Sequence, residues 1–345
     1  MTSKRAFITG ITGQDGSYLA QQLLESGYEV HGLYRRRAGV EVERVFRSNY
    51  CPDGMLINGQ KPTLIMHEGD ITDRSMIGGV LASVDPHEVY HLAAESHVGQ
   101  SFRAPLWSLR TIVDGTLNVL QGCRSLNDCR IYIASSSEMY GNNGCEIQDE
   151  NSPFRPCSPY ASAKLCAHNL AVNFREAYGM FVCCGILFNH ESPRRGVEFV
   201  TRKASLMAAR AYYDPISPPT EFGDMTPRRD WGYAPDYVNG MRLMLGHDRP
   251  DDYVLATGIS ISVRHMIESV FESAGIKDWK RYIVDRSNSM IRPNELKRLQ
   301  GDSSKACTIL GWKSTKDVYE VIDEMVKHDI RFFTPPGKFT FGPMH

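Results

Sequence analysis

The sequence predicts an α/β protein: a doubly wound parallel sheet with a smaller, interleaved mixed α/β lobe. Three observations carry that prediction. Short apolar runs alternate with longer amphipathic stretches through the first 188 residues, as strands joined by crossover helices require. A glycine-rich turn separates the first apolar run from the first helix. No fixed-period repeat runs through the chain, which argues against a solenoid or propeller.

Ala6-Phe7-Ile8 is a short apolar run and reads as a buried strand, followed by a helix through Tyr18 to Glu25 that Gly27 ends. Glu29 to Tyr34 reads as the second strand and Leu64-Ile65-Met66 as the third. Val89 to Leu92 is the fourth, Arg130 to Ala134 the fifth and Val182 to Phe188 the sixth, with helical patterns over 104–125 and 159–178. Parallel strands of this kind are linked by right-handed crossovers. After residue 188, proline and arginine cluster in ESPRRG, DPISPPTEFGD and TPRRDWG, while helical patterns return near 200–213, 236–246 and 262–274. The expected division is a sheet domain over 1–188 with 232–257 returning to it, a second lobe over 189–231 and 258–330, and a surface tail over 331–345.

Composition excludes several classes. The 345 residues carry 39 Lys+Arg against 40 Asp+Glu, a net charge of -1, with 42% hydrophobic and 23% charged residues. Disordered and collagen-like architectures do not have this balance. A neutral chain also removes the general electrostatic case for a nucleic-acid or anionic-membrane partner. Nine cysteines, an odd count with no C-x-x-C, read as free thiols in a reducing interior. MTSKRAFITG lacks the long apolar stretch of a secretory signal, and no run approaches a membrane span, so the expectation is a cytoplasmic protein. No His/Cys/Asp group has metal-ligand spacing, so no metal is expected.

The turn Gly10-Ile11-Thr12-Gly13-Gln14-Asp15-Gly16 lies between a strand and a helix. Its glycines let backbone approach a pyrophosphate whose charge sits at the helix N-terminus, so a dinucleotide is expected there. The second strand ends in Leu33-Tyr34-Arg35-Arg36-Arg37 without the acid that would accept from a ribose 2'-hydroxyl. Arginine suits a 2'-phosphate, which favours NADP over NAD; a solvated basic loop is the alternative. Asp70, with Ile71 after the third strand, reads either as a carboxylate for the adenine amino group or as a helix N-cap.

Tyr160 and Lys164 stand four apart and share a helix face. An ammonium beside a phenol lowers its pKa, making Tyr160 a usable base. Upstream, Ser135-Ser136-Ser137-Glu138 ends the fifth strand. These hydroxyls either cap backbone groups or, at Ser136, hold a substrate oxygen while Glu138 acts as a second base.

T-G-x-x-G-x-x-G, S-S-S-E-x-Y-G and Y-x-x-x-K together resemble the extended short-chain dehydrogenases, which carry an NAD(P)-binding Rossmann sheet. LFNHESPRRG, FVTRKA, RRDWGYAPDYV, IRPNELKRLQGD and LGWK narrow the resemblance to the GDP-mannose 4,6-dehydratases, over about residues 4–328. The resemblance implies that Tyr160, assisted by Lys164, deprotonates the mannosyl 4-hydroxyl while NADP+ takes hydride from C4. Ser136 would hold the C4 oxygen, Glu138 would take the C5 proton, water would leave from C6, and hydride would return there. It also implies cofactor contacts from Leu92, Ala93, Ala94, Ser96, Trp107, His190 and Arg195. Asn189, Val200, Lys203, Arg229, Arg292 and Glu295, with Ser96, would hold the GDP-sugar. Arg194, Arg202 and Arg228 are expected in surface ion pairs, and His91 and His97 in structural roles.

Three positions depart from the family pattern. Ser136 stands for a usual threonine, Glu95 for a common glutamine, and Trp107 for a tyrosine whose hydroxyl could serve the nicotinamide ribose. Residues 38–60 match poorly, and in relatives that region helps build a tetramer, so either a homodimer or a homotetramer is open. A GDP-sugar epimerase or reductase is the competing enzyme reading, against which Glu138 argues. A dehydratase with added NADPH-dependent 4-keto reduction is another. A non-catalytic NADP sensor would be expected to lack Tyr160 or Lys164.

Overall fold

A computed structural model of the chain describes residues 3–36, 46, 59, 61–286 and 294–333. Arg292, the loop 38–60 apart from residues 46 and 59, and the tail beyond 333 lie outside the described residues. The first half runs β1 (Arg5–Thr9), α1 (Gln14–Glu25), β2 (Glu29–Tyr34), β3 (Leu64–Glu68), α2 (Arg74–Val84) and β4 (Glu88–His91). Next come α3 (Val98–Arg103), α4 (Pro105–Leu109), a π-helical turn (Arg110–Asp114), α5 (Gly115–Cys123) and β5 (Arg130–Ser136). A 3-10 turn (Ser137–Tyr140), α6 (Pro159–Tyr178), β6 (Phe181–Leu187), β7 (Asn189–Glu191) and α7 (Val200–Tyr213) follow. The remainder is β8 (Thr220–Phe222), β9 (Arg228–Tyr233), α8 (Ala234–Gly246), β10 (Asp252–Leu255), β11 (Ser260–Ser262), α9 (Val263–Ser273), β12 (Ile283–Asp285), α10 (Ser304–Leu310) and α11 (Val318–Phe332).

Seven strands make one parallel sheet in the order β10-β6-β5-β4-β1-β2-β3. The order reverses at β1, which lies between β2 and β4, so a crevice opens at the carboxyl ends of β1 and β4. Side-chain alternation explains why both faces are covered. Ala6, Ile8, Tyr132 and Cys183 pack with Leu19 and Leu23 of α1 and Met241 and Leu245 of α8. Phe7, Val89, Ile131 and Cys184 face the other way, against Leu81 of α2, Val119 of α5 and Phe174 of α6. Adjacent Cys183 and Cys184 therefore point to opposite faces, and the eight cysteines among the described residues are free.

A second core joins α7, α9 and α11 through Ala204, Met207, Ile267, Phe271, Ile322 and Val326. Strands β11, β9 and β7 form a small sheet beside it, and β12 pairs with β8. The chain passes between the two cores repeatedly: Ala306 of α10 and Trp312 pack in the sheet's core, while Val318 belongs to the second. No helix among the described residues is long and apolar enough to cross a membrane.

Some expectations need correction. The helical pattern over 104–125 is one helical path interrupted by the π turn at Arg110–Asp114. Four helices lie outside the expected helical patterns: α2, the short α3 and α10, and α11. Gly78-Gly79 weakens the signal of α2. In α11, by contrast, the apolar Val318, Val321, Ile322, Met325 and Val326 do have helical spacing. Residues 331 and 332 belong to α11 and not to a tail.

Candidate active site

The turn after β1 is built around backbone contacts. Gly10 adopts φ +73°, and Gly13 N donates to its carbonyl at 3.0 Å. Thr9 anchors the turn to β4: its hydroxyl oxygen accepts from Leu92 N and Ala93 N, each at 3.1 Å. Its own proton therefore goes to His91 Nδ1 at 2.8 Å. His91 Nε2 meets Thr116 Oγ1, which itself donates to the Ile112 carbonyl. His91 is thus a neutral structural bridge, and burial drives its pKa down to about 3. His97 caps α3, accepting from Gln100 N through Nδ1, and Glu95 accepts from His97 N at 3.3 Å.

A cleft of about 1350 Å³ runs from this turn to the second core. Gly10, Thr12, Gly13, Gln14, Asp15 and Gly16 line one end, with Arg35, Asp70 and Ile71 beyond β2 and β3. Leu92, Ala93, Ala94 and Ser96 continue the wall after β4. Ser136, Glu138, Tyr160 and Lys164 occupy its middle. Asn189, His190, Arg195, Val200, Lys203, Arg229 and Glu295 form a second wall, which meets the glycine turn at His190. Arg36 is not part of the lining; it is exposed and paired with Glu68 at 4.0 Å.

At the end formed by β2 and β3, Arg35 lies over the Trp107 ring at 5.5 Å. Trp107 is therefore beside the end of β2, and it lines the cleft there. Asp70 is not the helix cap either: Asp73 caps α2 by accepting from Met76 N, and Asp70 accepts from Thr72 N and Oγ1.

In the middle, α6 starts cleanly, with Pro159 in its first turn and Ser158 capping Ala161 N at 3.1 Å. Tyr160 and Lys164 are on its buried face. Burial pushes the Tyr160 phenol up to about 12, against which the Ser136 hydroxyl and the Arg195 charge act. Lys164 Nζ donates to the Ala134 carbonyl at 2.7 Å, and burial brings its pKa down to about 8. The phenol is thus raised and not lowered as expected, with desolvation the largest cause, and the Lys164 ammonium is engaged by β5. Ser136 Oγ accepts from Glu138 N at 3.3 Å, opening the 3-10 turn, and Ser135 pairs with His168 at 2.9 Å.

Along the second wall each cation has an acid or carbonyl partner. His190 Nε2 is 2.9 Å from Asp15 Oδ2. Arg195 Nε is 3.1 Å from Glu191 and its guanidinium lies over Phe199 at 3.6 Å. Arg229 donates to Leu296 O at 2.9 Å and to Glu295 Oε1 at 3.0 Å. Lys203 Nζ donates to Glu221 O. Arg202 was expected on the surface but is buried, paired with Asp329 of α11. Arg194 stacks on Tyr18 and donates to Gln21, while Arg228 donates to Ser260 O.

Sequence reasoning missed four groups. Glu191 is buried in the cleft wall, where burial raises its pKa against Arg195 and Thr201. Asp230 is fully buried and accepts from Thr257 N, Thr257 Oγ1, Gly258 N and Gly301 N. Tyr237 stacks on His190 with centroids 4.5 Å apart. His168, Cys184 and Asp252 come within 4.8 Å of one another from three elements, with both Asp252 oxygens held by Arg175. Apart from Glu191 and Arg195, which stand four apart, these partners come from distant parts of the chain and are joined by the fold.

The sequence model of the GDP-mannose 4,6 dehydratase family matches residues 7–325. The chain is 43% identical to "GDP-mannose 4,6 dehydratase 1" of Arabidopsis thaliana, over 95% of this chain and 90% of that one. It is 40% identical to a GDP-mannose 4,6-dehydratase of Sinorhizobium fredii, over 96% and 98% of the two chains. Among solved structures, DesIV of Streptomyces venezuelae, a dTDP-glucose 4,6-dehydratase with NAD and TYD bound, superposes with a TM-score of 0.78 at 26% identity. That match covers 94% of this chain and 96% of the other.

Proposed function

The chain belongs to the GDP-mannose 4,6-dehydratase family, and from that premise we propose that it is the enzyme converting GDP-mannose to GDP-4-keto-6-deoxymannose, with NADP regenerated at every turnover. The observation that carries the reading is the placement of Ser136, Glu138, Tyr160 and Lys164 in one cleft, between the glycine turn and the Arg195–Arg229 wall.

The residues fit a dinucleotide. A Cβ on Gly16 would stand 2.3 Å from Gly10 O, so the tight turn exists only with glycine there. Arg35 supports NADP: it lines the cleft beside Trp107, its guanidinium suits a 2'-phosphate, and among the described residues it has no ion pair. When bound, NADP+ supplies a hydride acceptor that later returns what it took. Asp70 and Ile71 are assigned to the adenine, and Leu92, Ala93, Ala94, Ser96, His190 and Arg195 to the length of the cofactor.

Tyr160 takes the proton of the sugar 4-hydroxyl. Its phenol is held high by burial, so positive charge and hydrogen bonding must favour the phenolate, and Arg195 and Ser136 act in that direction. Ser136 holds the C4 oxygen. Once C4 is a ketone, the C5 hydrogen is acidic, and Glu138 removes it as water leaves from C6. Asn189, Val200, Lys203, Arg229 and Glu295 hold the nucleotide-sugar, the cations facing its diphosphate. Free thiols, with Cys145, Cys166 and Cys307 exposed, support a cytoplasmic setting.

The test is incubation of the protein with GDP-mannose and catalytic NADP+, with the product read by mass spectrometry and NMR. A 4-keto-6-deoxy sugar formed without stoichiometric cofactor consumption is expected. Unchanged GDP-mannose would overturn the proposal.

A further inference from the structure

Two buried histidines near the glycine turn have opposite charge states, and the partners of each decide which. His91 accepts a hydrogen bond from the Thr9 hydroxyl at Nδ1, as that hydroxyl's other contacts require, and is neutral. His190 has no such donor. Its Nδ1 lies 2.7 Å from the Phe188 carbonyl oxygen, and its Nε2 lies 2.9 Å from Asp15 Oδ2. A carbonyl accepts only, and so does an ionised carboxylate. Both ring nitrogens must therefore carry protons, which makes the ring an imidazolium.

The position of Asp15 gives that charge a use. Asp15 is in the first turn of α1, and it lines the cleft where the helix end would receive an anionic diphosphate. A free carboxylate there would repel that ligand. We propose that His190 is a positioning residue of the cofactor site, held as an imidazolium whose charge cancels that of Asp15 and so permits α1 to accept a dinucleotide diphosphate. The proposal rests on the reading that this cleft binds NADP.

The surroundings fix the pair in place. Gln14 Nε2 donates to Asp15 Oδ1 and to the His190 carbonyl, each at 3.1 Å, while Ser192 Oγ donates to Gln14 Oε1. Tyr237 of α8 covers the ring face, stacked at 19°. The other charged groups facing the pair are Arg195 and Glu191, which pair with each other, and Lys164 of α6; Tyr132 of β5 faces Asp15 as a neutral phenol. Burial disfavours the His190 cation, but Asp15 outweighs burial, and the pKa of His190 ends above its ordinary value. That of Asp15 ends below its own, burial again being outweighed by His190.

Two measurements test this. The first needs no cofactor: histidine-selective 15N NMR, with the His190 signal identified by its loss in His190→Gln. Both nitrogens protonated at pH 6.5 is the expected result, with the titration midpoint falling in Asp15→Asn. A neutral tautomer at pH 6.5 overturns the proposal. The second is titration of NADPH, followed by its fluorescence, at pH 7 into wild type, His190→Gln and His190→Gln/Asp15→Asn, with folding checked by thermal melts. The single variant should bind at least about tenfold more weakly, because Asp15 is left uncompensated. The double variant should recover to within about threefold of wild type. A double variant as weak as the single one shows that His190 acts through shape, and refutes the charge argument. If wild type itself fails to bind NADPH, the cofactor reading falls, and the NMR result still decides the charge of His190.

Discussion

Replacing Gly16 with alanine is the sharpest test of the glycine turn. An added Cβ would lie 2.3 Å from Gly10 O, 2.6 Å from Ile11 Cα and 2.8 Å from Ile11 C, all backbone atoms. A carbon meets a carbonyl oxygen comfortably at about 3.3 Å, so the turn must retreat from α1 by about 1 Å. It has little room to do so. A Cβ on Gly10 would already touch Ala93 N at 2.9 Å, which shows how closely the turn abuts the chain after β4. Overpacking of this kind costs about 1–3 kcal/mol in stability. A displacement of about 1 Å in groups that position a ligand can cost about 100-fold, and NADPH affinity should fall on that scale. Gly79, exposed in α2 with nothing within 4 Å of an added Cβ, is the control. Gly79→Ala should gain about 0.5–1 kcal/mol from helix propensity and leave NADPH binding as it was. Fluorescence titration and thermal melts read both variants. A Gly16→Ala protein that binds NADPH within about threefold of wild type, with an unchanged melt, would refute the steric reasoning.

Further expectations concern the chemistry and the lobe. Glu138→Gln should lower turnover of GDP-mannose by about 10²–10⁴-fold while both ligands still bind, and steady-state kinetics with binding titrations check this. Arg35→Ala should weaken NADP+ relative to NAD+ by about tenfold, read from the ratio of the two KM values. Asp230→Ala would strip acceptors from three backbone N–H groups, at Thr257, Gly258 and Gly301, each worth about 1–3 kcal/mol when orphaned. Denaturant unfolding should therefore show at least about 3 kcal/mol lost, and a loss under about 1 kcal/mol would mean water replaces the carboxylate. Lys164 has a folded pKa lowered from 10.5 to about 8, so the unfolded chain binds the extra proton between those values and its charge costs stability below about pH 8. Lys164→Met should be inactive yet more stable by about 2–3 kcal/mol at pH 7, with the gain shrinking as pH rises toward 10; an equal or lower stability at pH 7 would contradict it.

What could be read from the chain follows from how far apart the interacting residues are. Strands β5 and β6 are buried on both faces, so IYIA and VCCGIL stand out as apolar runs without any partner being known. The turn at Gly10–Gly16, the Tyr160–Lys164 pair and the Ser136–Glu138 strand end are also local, and each falls in the cleft. The break at Arg110–Asp114 was not legible, because the π turn leaves the apolar pattern of α4 and α5 intact. Nor was the direction in which Tyr160 is perturbed. The i, i+4 spacing places an ammonium near the phenol, but the size of desolvation depends on α6 being pressed onto the sheet, which no spacing encodes.

The charge count shows the same limit, and why it matters for binding. A net charge of -1 conceals cations at Arg195, Arg202, Arg229 and His190, which sequence reasoning placed either on ligands or on the surface. The fold gives each an acid from elsewhere: Glu191 for Arg195, Asp329 for Arg202, Glu295 for Arg229 and Asp15 for His190. Three of these acids lie 66 or more positions from their partners, and only Arg195–Glu191 is a helix-like i, i+4 pair. Isolated buried cations would be costly to fold, since each must be desolvated without compensation. Pairing removes that cost and fixes each guanidinium before a ligand arrives, so less side-chain entropy remains to be lost on binding. It also means that a diphosphate entering this cleft meets a field of dipoles and not of bare positive charge. Affinity then depends on geometry as much as on charge, and removing an acid partner should loosen the site even though it makes the site more positive. Glu191→Gln is the direct case: simple electrostatics expects tighter binding of an anionic nucleotide, whereas preorganisation expects weaker binding, because Arg195 loses the carboxylate at 3.1 Å that holds it over Phe199. NADPH titration of that variant separates the two, and a tighter complex would defeat the preorganisation argument.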